Sequence, residues 1–393
     1  MTREEFSILC RPEVTQAIAG NRGRNAAEVA LDRRIPFARE VASQVKYLAR
    51  AESKLPSYAA AGCIVPPRAF EQSSGEPCAA RKPGSGGRAL DLTCGLGVDA
   101  LYLSKRFAHV TAVERDEVLA DTARENFRRL GISNVEVVCA AAEDYAASCR
   151  ERFDWIYADP DRRDGEGRKM VRMEDCSPDM ERLMPFIRGC GARFCIKLSP
   201  LFDVGEAFRI FGDVTVECVS SLGECKEVLV FSSDSGPHTA ATALHADGSS
   251  TTAAFPREES SPLLCTRPFE AARYRVLGIP DAALQKARLV SRTLAGIADV
   301  WSENGFAFFT SADTPPSAGL CRRYAIESIE PYSPRRLRRE LKGAAAEIFK
   351  RDCPLSPDEI RRACGLRDGA GLRAAVTRID GEYLFIRLGA QLP

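Results

Sequence analysis

From residue 88 onward the chain alternates short apolar runs with amphipathic stretches, and no other feature limits the possible folds as strongly. The amphipathic stretches at 98–107 and 116–130 have the apolar spacing of helices. Strands that alternate with helices form a parallel sheet covered by helices on both faces. Five apolar runs predict its buried strands, at 89–92, 109–113, 135–139, 153–158 and 192–198.

Two further apolar runs, at 214–220 and 227–231, predict a different connection. They are joined through Leu222 and Gly223, which leaves no room for a crossover helix, so these strands must pair antiparallel. A parallel sheet closed by an antiparallel terminal hairpin is the class I methyltransferase variant of the Rossmann-like fold. We therefore predict an α/β protein whose central domain has this sheet.

The flanking regions have other patterns. Apolar positions three and four apart at 26–49 predict a helical N-terminal extension. The segment 236–262 is rich in Ser, Thr, Ala, Gly and Asp, which favours a linker. Beyond it we predict two small α+β units. The predicted domains are a helical region at 1–85, the methyltransferase domain at 86–235, the linker at 236–262 and two α+β units at 263–325 and 326–393.

Composition excludes several classes of protein without identifying one. The 55 Lys and Arg residues balance 54 acids, so net charge indicates no partner. The 15 cysteines lie singly, never as Cys-x-x-Cys, which predicts reduced thiols and no metal site. The N-terminus lacks a signal pattern, and no apolar run approaches the roughly 20 residues that span a bilayer. We therefore expect a soluble, cytoplasmic protein with no membrane contact.

The strongest chemical signal is the segment 89–100, in which a buried strand leads through a glycine turn into a helix. Asp91 ends the strand, Thr93 begins the turn, and Gly95 and Gly97 allow the backbone to approach a ligand closely. The same glycine spacing also satisfies the dinucleotide fingerprint. An acid at Asp91 favours a methyltransferase, because its negative charge would serve a diphosphate poorly.

Glu114, at the end of the second strand, can accept hydrogen bonds from both hydroxyls of a ribose. This role suits either class of nucleoside cofactor. After the third strand, methyltransferases usually place an acid where this chain has Ala141, to bind the adenine amine. Glu143 and Asp144 follow shortly after that position, and one of them or a backbone carbonyl can make the contact; Glu143 is our candidate. The predicted cofactor is S-adenosylmethionine.

The fourth strand leads into Asp159 and Pro160, which are followed by Asp161 and Arg162. This segment resembles the Asp-Pro-Pro-x signature of methyltransferases that modify nucleobases or other planar amines. In those enzymes the acid and a backbone carbonyl hold the target nitrogen towards the methyl group. The resemblance implies catalytic roles for Asp159 and Pro160, with Arg162 stacking on a base or binding a phosphate.

Lys197 lies inside the apolar fifth strand, where an unpaired ammonium is costly. Asp159, at the end of the neighbouring strand, is its expected partner. A catalytic role for Lys197 and a structural ion pair are both open at this stage.

Most of the chain resembles bacterial class I S-adenosylmethionine-dependent methyltransferases with a ferredoxin-like insert and a C-terminal THUMP-like domain. THUMP domains are RNA-binding modules of tRNA-modifying enzymes, so the resemblance implies methylation of a base nitrogen in RNA, either tRNA or rRNA. The segments that carry it lie at 70–82, 91–103, 157–163, 195–201, 223–229, 278–287, 309–311, 331–333 and 354–360.

A basic helix in the C-terminal unit is compatible with an RNA partner. Ser333 and Pro334 can begin a helix. Such a helix suits phosphate contacts, although a solvated helix face has the same composition. Its predicted RNA-binding residues are Arg335, Arg336, Arg338 and Arg339.

Other functions fit parts of the pattern. A methyltransferase acting on a small molecule or a protein would not need a separate basic unit. A non-catalytic RNA-binding protein with a cofactor fold is compatible with Ala141 and Asp161. A dinucleotide dehydrogenase lacks a candidate proton donor, and uracil C5 methylation needs a thiolate nucleophile, whereas Cys195 lies inside a strand.

Overall fold

The computed structural model describes residues 1–160, 177–190, 193–313 and 318–392. The chain divides into two compact units. The first unit contains residues 1–198 and 230–232, and the second contains residues 199–229 and 233–393.

The described residues form helices throughout both units. The helices are α1 (Arg3–Leu9), α2 (Pro12–Gly20), α3 (Ala26–Leu31), α4 (Ala38–Lys54), α5 (Pro56–Ala60), α6 (Pro67–Gln72), α7 (Glu76–Arg81), α8 (Val98–Ser104), α9 (Glu117–Arg129), α10 (Ala142–Ser148), α11 (Met180–Gly189), α12 (Val204–Phe211), α13 (Ala282–Ala287), α14 (Val290–Thr293), α15 (Pro334–Leu341) and α16 (Pro357–Cys364).

The strands follow the same numbering in chain order. They are β1 (Gly86–Asp91), β2 (Phe107–Glu114), β3 (Val135–Cys139), β4 (Trp155–Ala158), β5 (Arg193–Leu198), β6 (Val214–Ser221), β7 (Glu224–Ser232), β8 (His238–Leu244), β9 (Ser250–Pro256), β10 (Val276–Pro280), β11 (Ala307–Phe309), β12 (Cys321–Pro331), β13 (Ala345–Lys350), β14 (Arg367–Asp368), β15 (Leu372–Ile379) and β16 (Glu382–Leu392).

The first unit is built on the predicted parallel sheet, with strand order β3-β2-β1-β4-β5. All four pairings between these strands are parallel. The carboxyl ends of parallel strands meet at one edge of a sheet, which is where open α/β sheets bind ligands. Asp91, Glu114 and Ala158 end three neighbouring strands at this edge.

Buried amides attach the N-terminal helices to this sheet domain. The Gln44 side chain of α4 hydrogen bonds to both the backbone N–H and the carbonyl of Val65 (2.8 and 3.2 Å). The Asn126 side chain of α9 binds Ile64 in the same way (2.8 and 2.9 Å). Each amide thus hydrogen bonds to one backbone donor and one backbone acceptor of a buried segment. Without these bonds the buried polar groups would destabilise the fold.

In the second unit the strand order is β7-β6-β8-β9. β6 pairs parallel with β8, and β8 pairs antiparallel with β9. The prediction that 236–262 is a linker is therefore wrong, because β8 and β9 occupy most of it. Ala and Thr dominate β8, and both types are small enough to pack closely: Ala240, Ala241 and Thr242 are buried. Their small apolar area gave the segment the composition of a linker.

A second sheet in the same unit has the order β11-β10-β12-β16-β15-β13-β14. Successive residues of its strands point to opposite faces. Ala374 and Phe385 pack on the face with Leu337 of α15, whereas Ala375 packs on the other face with Tyr274. β12 runs through the predicted boundary between 325 and 326, so the two predicted small units share one sheet.

Candidate functional site

Glu114 holds the glycine turn against the end of β2. One of its carboxylate oxygens accepts a hydrogen bond from the backbone N–H of Gly95 (2.8 Å), and the other accepts one from Asp116 (2.8 Å). Gly95 has a φ of +54°, a conformation that favours glycine. Among the described residues, a Cβ at position 95 would meet only the Thr93 carbonyl, at 3.9 Å, so these residues leave space for a ligand beside the turn.

Gly97 is constrained by packing, and its predicted contact with the cofactor stays a prediction. It has a φ of +89°, and a Cβ there would lie 2.7 Å from the Phe127 ring. The close approach is therefore to the protein's own helix α9. Gly97 lets α8 begin beside that ring, and we assign it to packing beneath the site, whereas Gly95 lies beside the open space.

Asp91 is completely buried at the end of β1. Its Oδ1 accepts hydrogen bonds from the backbone N–H of Thr93 (2.9 Å) and from the Thr93 hydroxyl (3.4 Å). Its Oδ2 is buried and has no hydrogen-bond partner among the described residues. Burial, together with the nearby charges of Asp99 and Asp159, raises the pKa of Asp91 to about 8. A ligand that brings a cationic donor would complete this environment.

Asp159 follows β4 at the same edge, and two neighbours hold it. Its backbone N–H donates to the Thr93 hydroxyl (2.7 Å), and its Oδ2 forms an ion pair with the Lys197 ammonium. The predicted pairing of Lys197 with Asp159 is therefore present. The Asp159 side chain is 27% exposed, so a substrate can reach it. Pro160 is buried, and Arg162 lies outside the described residues.

A second ion pair, which the sequence patterns did not predict, lies beside the first. The buried Lys82 ammonium contacts Asp99 and donates to the Ser74 hydroxyl (3.0 Å), which in turn donates to Asp99 (3.0 Å). Burial alone would raise the pKa of Asp99, but Lys82 and Lys197 outweigh it and hold that pKa below its usual value. The sequence signal that could have indicated this ion pair was Asp99, a charged residue in the first turn of the otherwise apolar helix α8.

These residues form a compact charge cluster at the carboxyl edge of the first sheet. Three carboxylates, Asp91, Asp99 and Asp159, lie with two ammonium groups, Lys82 and Lys197. With every group ionised, the five charges sum to −1. The arrangement favours a ligand with a positive charge near Asp91.

Glu143, the predicted adenine contact, already has one protein partner. Its Oε1 accepts a hydrogen bond from the backbone N–H of Asp179 (2.9 Å), which precedes α11. Glu143 thus joins α10 to the start of α11. Its role towards the adenine amine stays a prediction, and only its second oxygen is offered by this geometry.

The four arginines predicted to bind RNA lie on α15 but differ in their surroundings. Arg335, Arg338 and Arg339 are exposed. Arg336 forms ion pairs with Glu330 and, at 3.9 Å, with Glu340. Because acids already neutralise Arg336, we expect phosphate contacts from the other three.

Among the described residues, no three His, Cys, Asp or Glu side chains are grouped as metal ligands. Within the same residues, every helix is too short or too polar to cross a bilayer.

Comparison with known proteins assigns both parts of the chain. Residues 89–161 match the model of a methyltransferase domain, and residues 321–388 match the model of a THUMP-like domain. An uncharacterised S-adenosylmethionine-dependent methyltransferase of Mycobacterium tuberculosis is 26% identical over 322 residues, which is 80% of this chain and 85% of that protein. The 23S rRNA uracil-C5 methyltransferase RlmD of Stenotrophomonas maltophilia is 39% identical over 84 residues, 21% of this chain and 19% of RlmD.

A solved structure shows the same fold over nearly the whole chain. The crystal structure of a candidate methyltransferase from Porphyromonas gingivalis W83 has a TM-score of 0.79 and 24% identity, covering 99% of this chain and 98% of that one. The chain is therefore a class I methyltransferase with a THUMP-like domain in its C-terminal part. S-adenosylmethionine is the methyl donor of this class, as Asp91 beside the glycine turn predicted.

Proposed function

We propose that this methyltransferase transfers the methyl group to a base nitrogen of RNA, either tRNA or rRNA. The observation that carries the proposal is the placement of Asp159. This acid lies at the carboxyl edge of the sheet, is anchored through Thr93 and Lys197, and remains partly exposed. A planar amine that approaches this edge would donate an N–H to the Asp159 carboxylate.

The residues at the glycine turn fit the cofactor. In our assignment Oδ2 of Asp91, which has no partner among the described residues, accepts a hydrogen bond from the ammonium group of the cofactor's methionine part. Glu114 accepts hydrogen bonds from the ribose hydroxyls of the cofactor. The open side of Gly95 gives the ligand its space, and we assign the contact with the adenine amine to Glu143. The bound cofactor supplies an electrophilic methyl group on a positively charged sulfur.

The chain's own residues would then align the acceptor. Methyl transfer is an in-line displacement, so orientation of the acceptor lone pair contributes much of the rate. Lys197 holds the Asp159 carboxylate through Oδ2, and Thr93 fixes its backbone to the cofactor turn. The carboxylate can accept the acceptor's N–H as positive charge develops on the nitrogen, which favours Asp159 as a catalytic residue.

Two observations support RNA as the substrate. One is the THUMP-like domain with the exposed arginines Arg335, Arg338 and Arg339 on α15. The other is the similarity to RlmD, an enzyme that acts on 23S rRNA. Carbon methylation of uracil is disfavoured because Cys195, in the middle of β5, is fully buried and offers no accessible thiolate. An RNA substrate agrees with our proposal of a cytoplasmic location.

The distribution of a radioactive methyl group tests the proposal. The purified protein is incubated with labelled S-adenosylmethionine and an extract of a strain that lacks the gene. The reaction mixture is then separated into RNA, protein and small molecules. We expect the wild-type protein to transfer the label to RNA, and we expect no label in RNA when the Asp159→Asn variant is used. Label confined to protein or small molecules would overturn the RNA assignment.

A further inference from the structure

One face of the N-terminal helix α4 is positively charged. Arg39, Lys46, Arg50 and Lys54 are spaced by seven, four and four residues, which places them within one stripe of a helix. The first three are exposed, and Lys54 is half-buried. The buried positions Val41, Val45 and Leu48 occupy a different side, which packs into the first unit.

Two aromatic rings lie among these cations. The rings of Tyr47 and Phe70 meet edge to face, with centroids 5.7 Å apart. The Arg50 guanidinium lies 5.3 Å from the Tyr47 centroid and 5.2 Å from that of Phe70. The Lys54 ammonium lies 4.8 Å from the Phe70 centroid. Glu71 pairs with Arg50 at 2.6 Å and is the acid at this surface.

The stripe leads to the charge cluster at the sheet edge. Lys54 donates to the carbonyls of Phe70 (2.5 Å) and Glu71 (3.4 Å), in the segment that continues to Ser74 and Lys82. Burial lowers the pKa of Lys54 to about 8; among charged neighbours, Glu71 raises that pKa and Lys197 lowers it. Lys197 is the partner of Asp159, so the end of the stripe lies near the proposed acceptor position.

We propose that Lys46, Tyr47, Arg50 and Lys54, here called the α4 surface, bind the single-stranded RNA segment that carries the target base. Cations alternating with a ring are the pattern that binds single strands: the cations contact successive phosphates and a base stacks on the ring. Arg50 can exchange Glu71 for a phosphate because both side chains of this pair are about half exposed, whereas Glu330, the partner of Arg336, is mostly buried. The inference rests on the proposed function, and it assigns substrate entry to the first unit rather than to α15.

A charge-neutral double variant tests the α4 surface in the full-length protein. The probe is a labelled, mixed-sequence single-stranded oligoribonucleotide of about 20 nucleotides. Lys46→Gln/Arg50→Gln should weaken its binding roughly tenfold at low salt and flatten the salt slope by about 1.4, which corresponds to two lost contacts. Lys54 is left intact because it also holds the backbone of Phe70.

The matched control, Arg33→Gln/Lys105→Gln, removes the same charge from exposed positions elsewhere in the first unit. It should bind the probe within about twofold of the wild type, since distant charges are screened by salt. Both doubles should bind S-adenosylhomocysteine as the wild type does. Tyr47→Ala should weaken RNA binding about fivefold or more through lost stacking, whereas Tyr47→Phe should not.

Each other outcome has a defined meaning. If both doubles bind the probe equally well, the α4 surface is not the RNA path, and the proposed function stands. Displacement of the probe by polyglutamate as readily as by unlabelled RNA would assign the surface to an acidic protein and overturn the inference. If the wild type neither binds nor methylates RNA, the proposed function itself fails.

Discussion

The two regions that carry the candidate functional residues are built in opposite ways. At the edge of the first sheet two ion pairs are buried or partly buried: Lys82 with Asp99, and Lys197 with Asp159, whose side chain is 27% exposed. On α15 the arginines Arg335, Arg338 and Arg339 are exposed, and the helix packs on the core through Leu337 and the partly buried Leu341. Buried pairs fix geometry and are costly to break, whereas exposed charges act through long-range attraction that salt weakens. The contrast suits orientation of reacting atoms in the first region and capture of a polyanion in the second.

The largest expected effect comes from the acid that would orient the acceptor. Asp159→Asn keeps the size of the side chain but removes its charge, and should lower turnover by about 10²–10⁴-fold. Affinity for S-adenosylhomocysteine should change by less than about twofold, because the group acts mainly in the transition state. Asp213→Asn, at an exposed acid between α12 and β6, is the matched control. Steady-state kinetics and calorimetry measure the two quantities, and full turnover by Asp159→Asn would show that the segment is only a turn.

Breaking the buried pair tests the difference in stability between the regions. Lys82→Met leaves Asp99 buried without its ion-pair partner and should cost about 3–5 kcal/mol, whereas Arg335→Gln should change stability by less than about 0.5 kcal/mol. The chain has two tryptophans, and Trp155 lies in the first unit. In a Trp301→Phe background the fluorescence of Trp155 reports urea unfolding of the first unit and is used for Lys82→Met. In a Trp155→Phe background the fluorescence of Trp301 reports unfolding of the second unit, which contains Arg335. Adding Asp99→Asn to Lys82→Met should restore most of the loss. A Lys82→Met cost as small as that of Arg335→Gln would contradict the assignment.

The pH dependence of Asp91 sharpens the same contrast. Its pKa is raised to about 8 in the folded protein and is about 4 when unfolded, so the folded state binds the proton more tightly. The contribution of Asp91 to the free energy of unfolding is therefore fully present below pH 4. It falls by at most about 1.4 kcal/mol per pH unit as the pH rises to 8. Asp91→Asn should gain stability relative to the wild type between pH 5 and pH 8. Thermal unfolding of both proteins over this pH range measures the difference. If the stabilities of the two proteins change with pH in the same way, Asp91 is ionised throughout the range.

Ligand binding should depend on the same proton. If Asp91 must ionise to bind an ammonium group, the affinity for S-adenosylhomocysteine rises by up to about tenfold per pH unit as the pH rises from 6 to 8. Calorimetry in buffers of different ionisation enthalpy should detect the released proton. No proton release at pH 6.5 would place the ammonium group away from Asp91.

The smallest effect is expected on α15. Replacing Arg335, Arg338 and Arg339 by Gln should flatten the salt dependence of RNA binding by up to about 2 in slope, with cofactor affinity unchanged. Arg336→Gln should leave that slope unchanged, since Arg336 is paired with Glu330. Filter binding over a salt series measures both. Equal slopes for all the proteins would make α15 a solvated face.

Much of the first sheet followed from the sequence, because strand ends are local signals. The end of an apolar run located Asp91 and Glu114, and two neighbouring strand ends located the pair of Lys197 with Asp159. These predictions needed only periodicity and the cost of an unpaired buried charge.

The remaining features depend on contacts between distant segments. Lys82 lies in a loop whose composition says nothing about Asp99, and the close approach of Gly97 to Phe127 required the packing of α8 on α9. The strands of 236–262 were missed because Ala and Thr carry little apolar area. The predicted helix of 26–49 divides into α3 and α4, which are separated by residues that include Pro36.

The most direct test of the central claim is nucleoside mass spectrometry of RNA from a strain that lacks the gene. We expect one nucleoside methylated on a base nitrogen to disappear in that strain. The wild-type gene should restore it, and a gene with Asp159→Asn should not, although both proteins accumulate equally. An unchanged set of methylated nucleosides, or the loss of one methylated on carbon or ribose, would contradict the account.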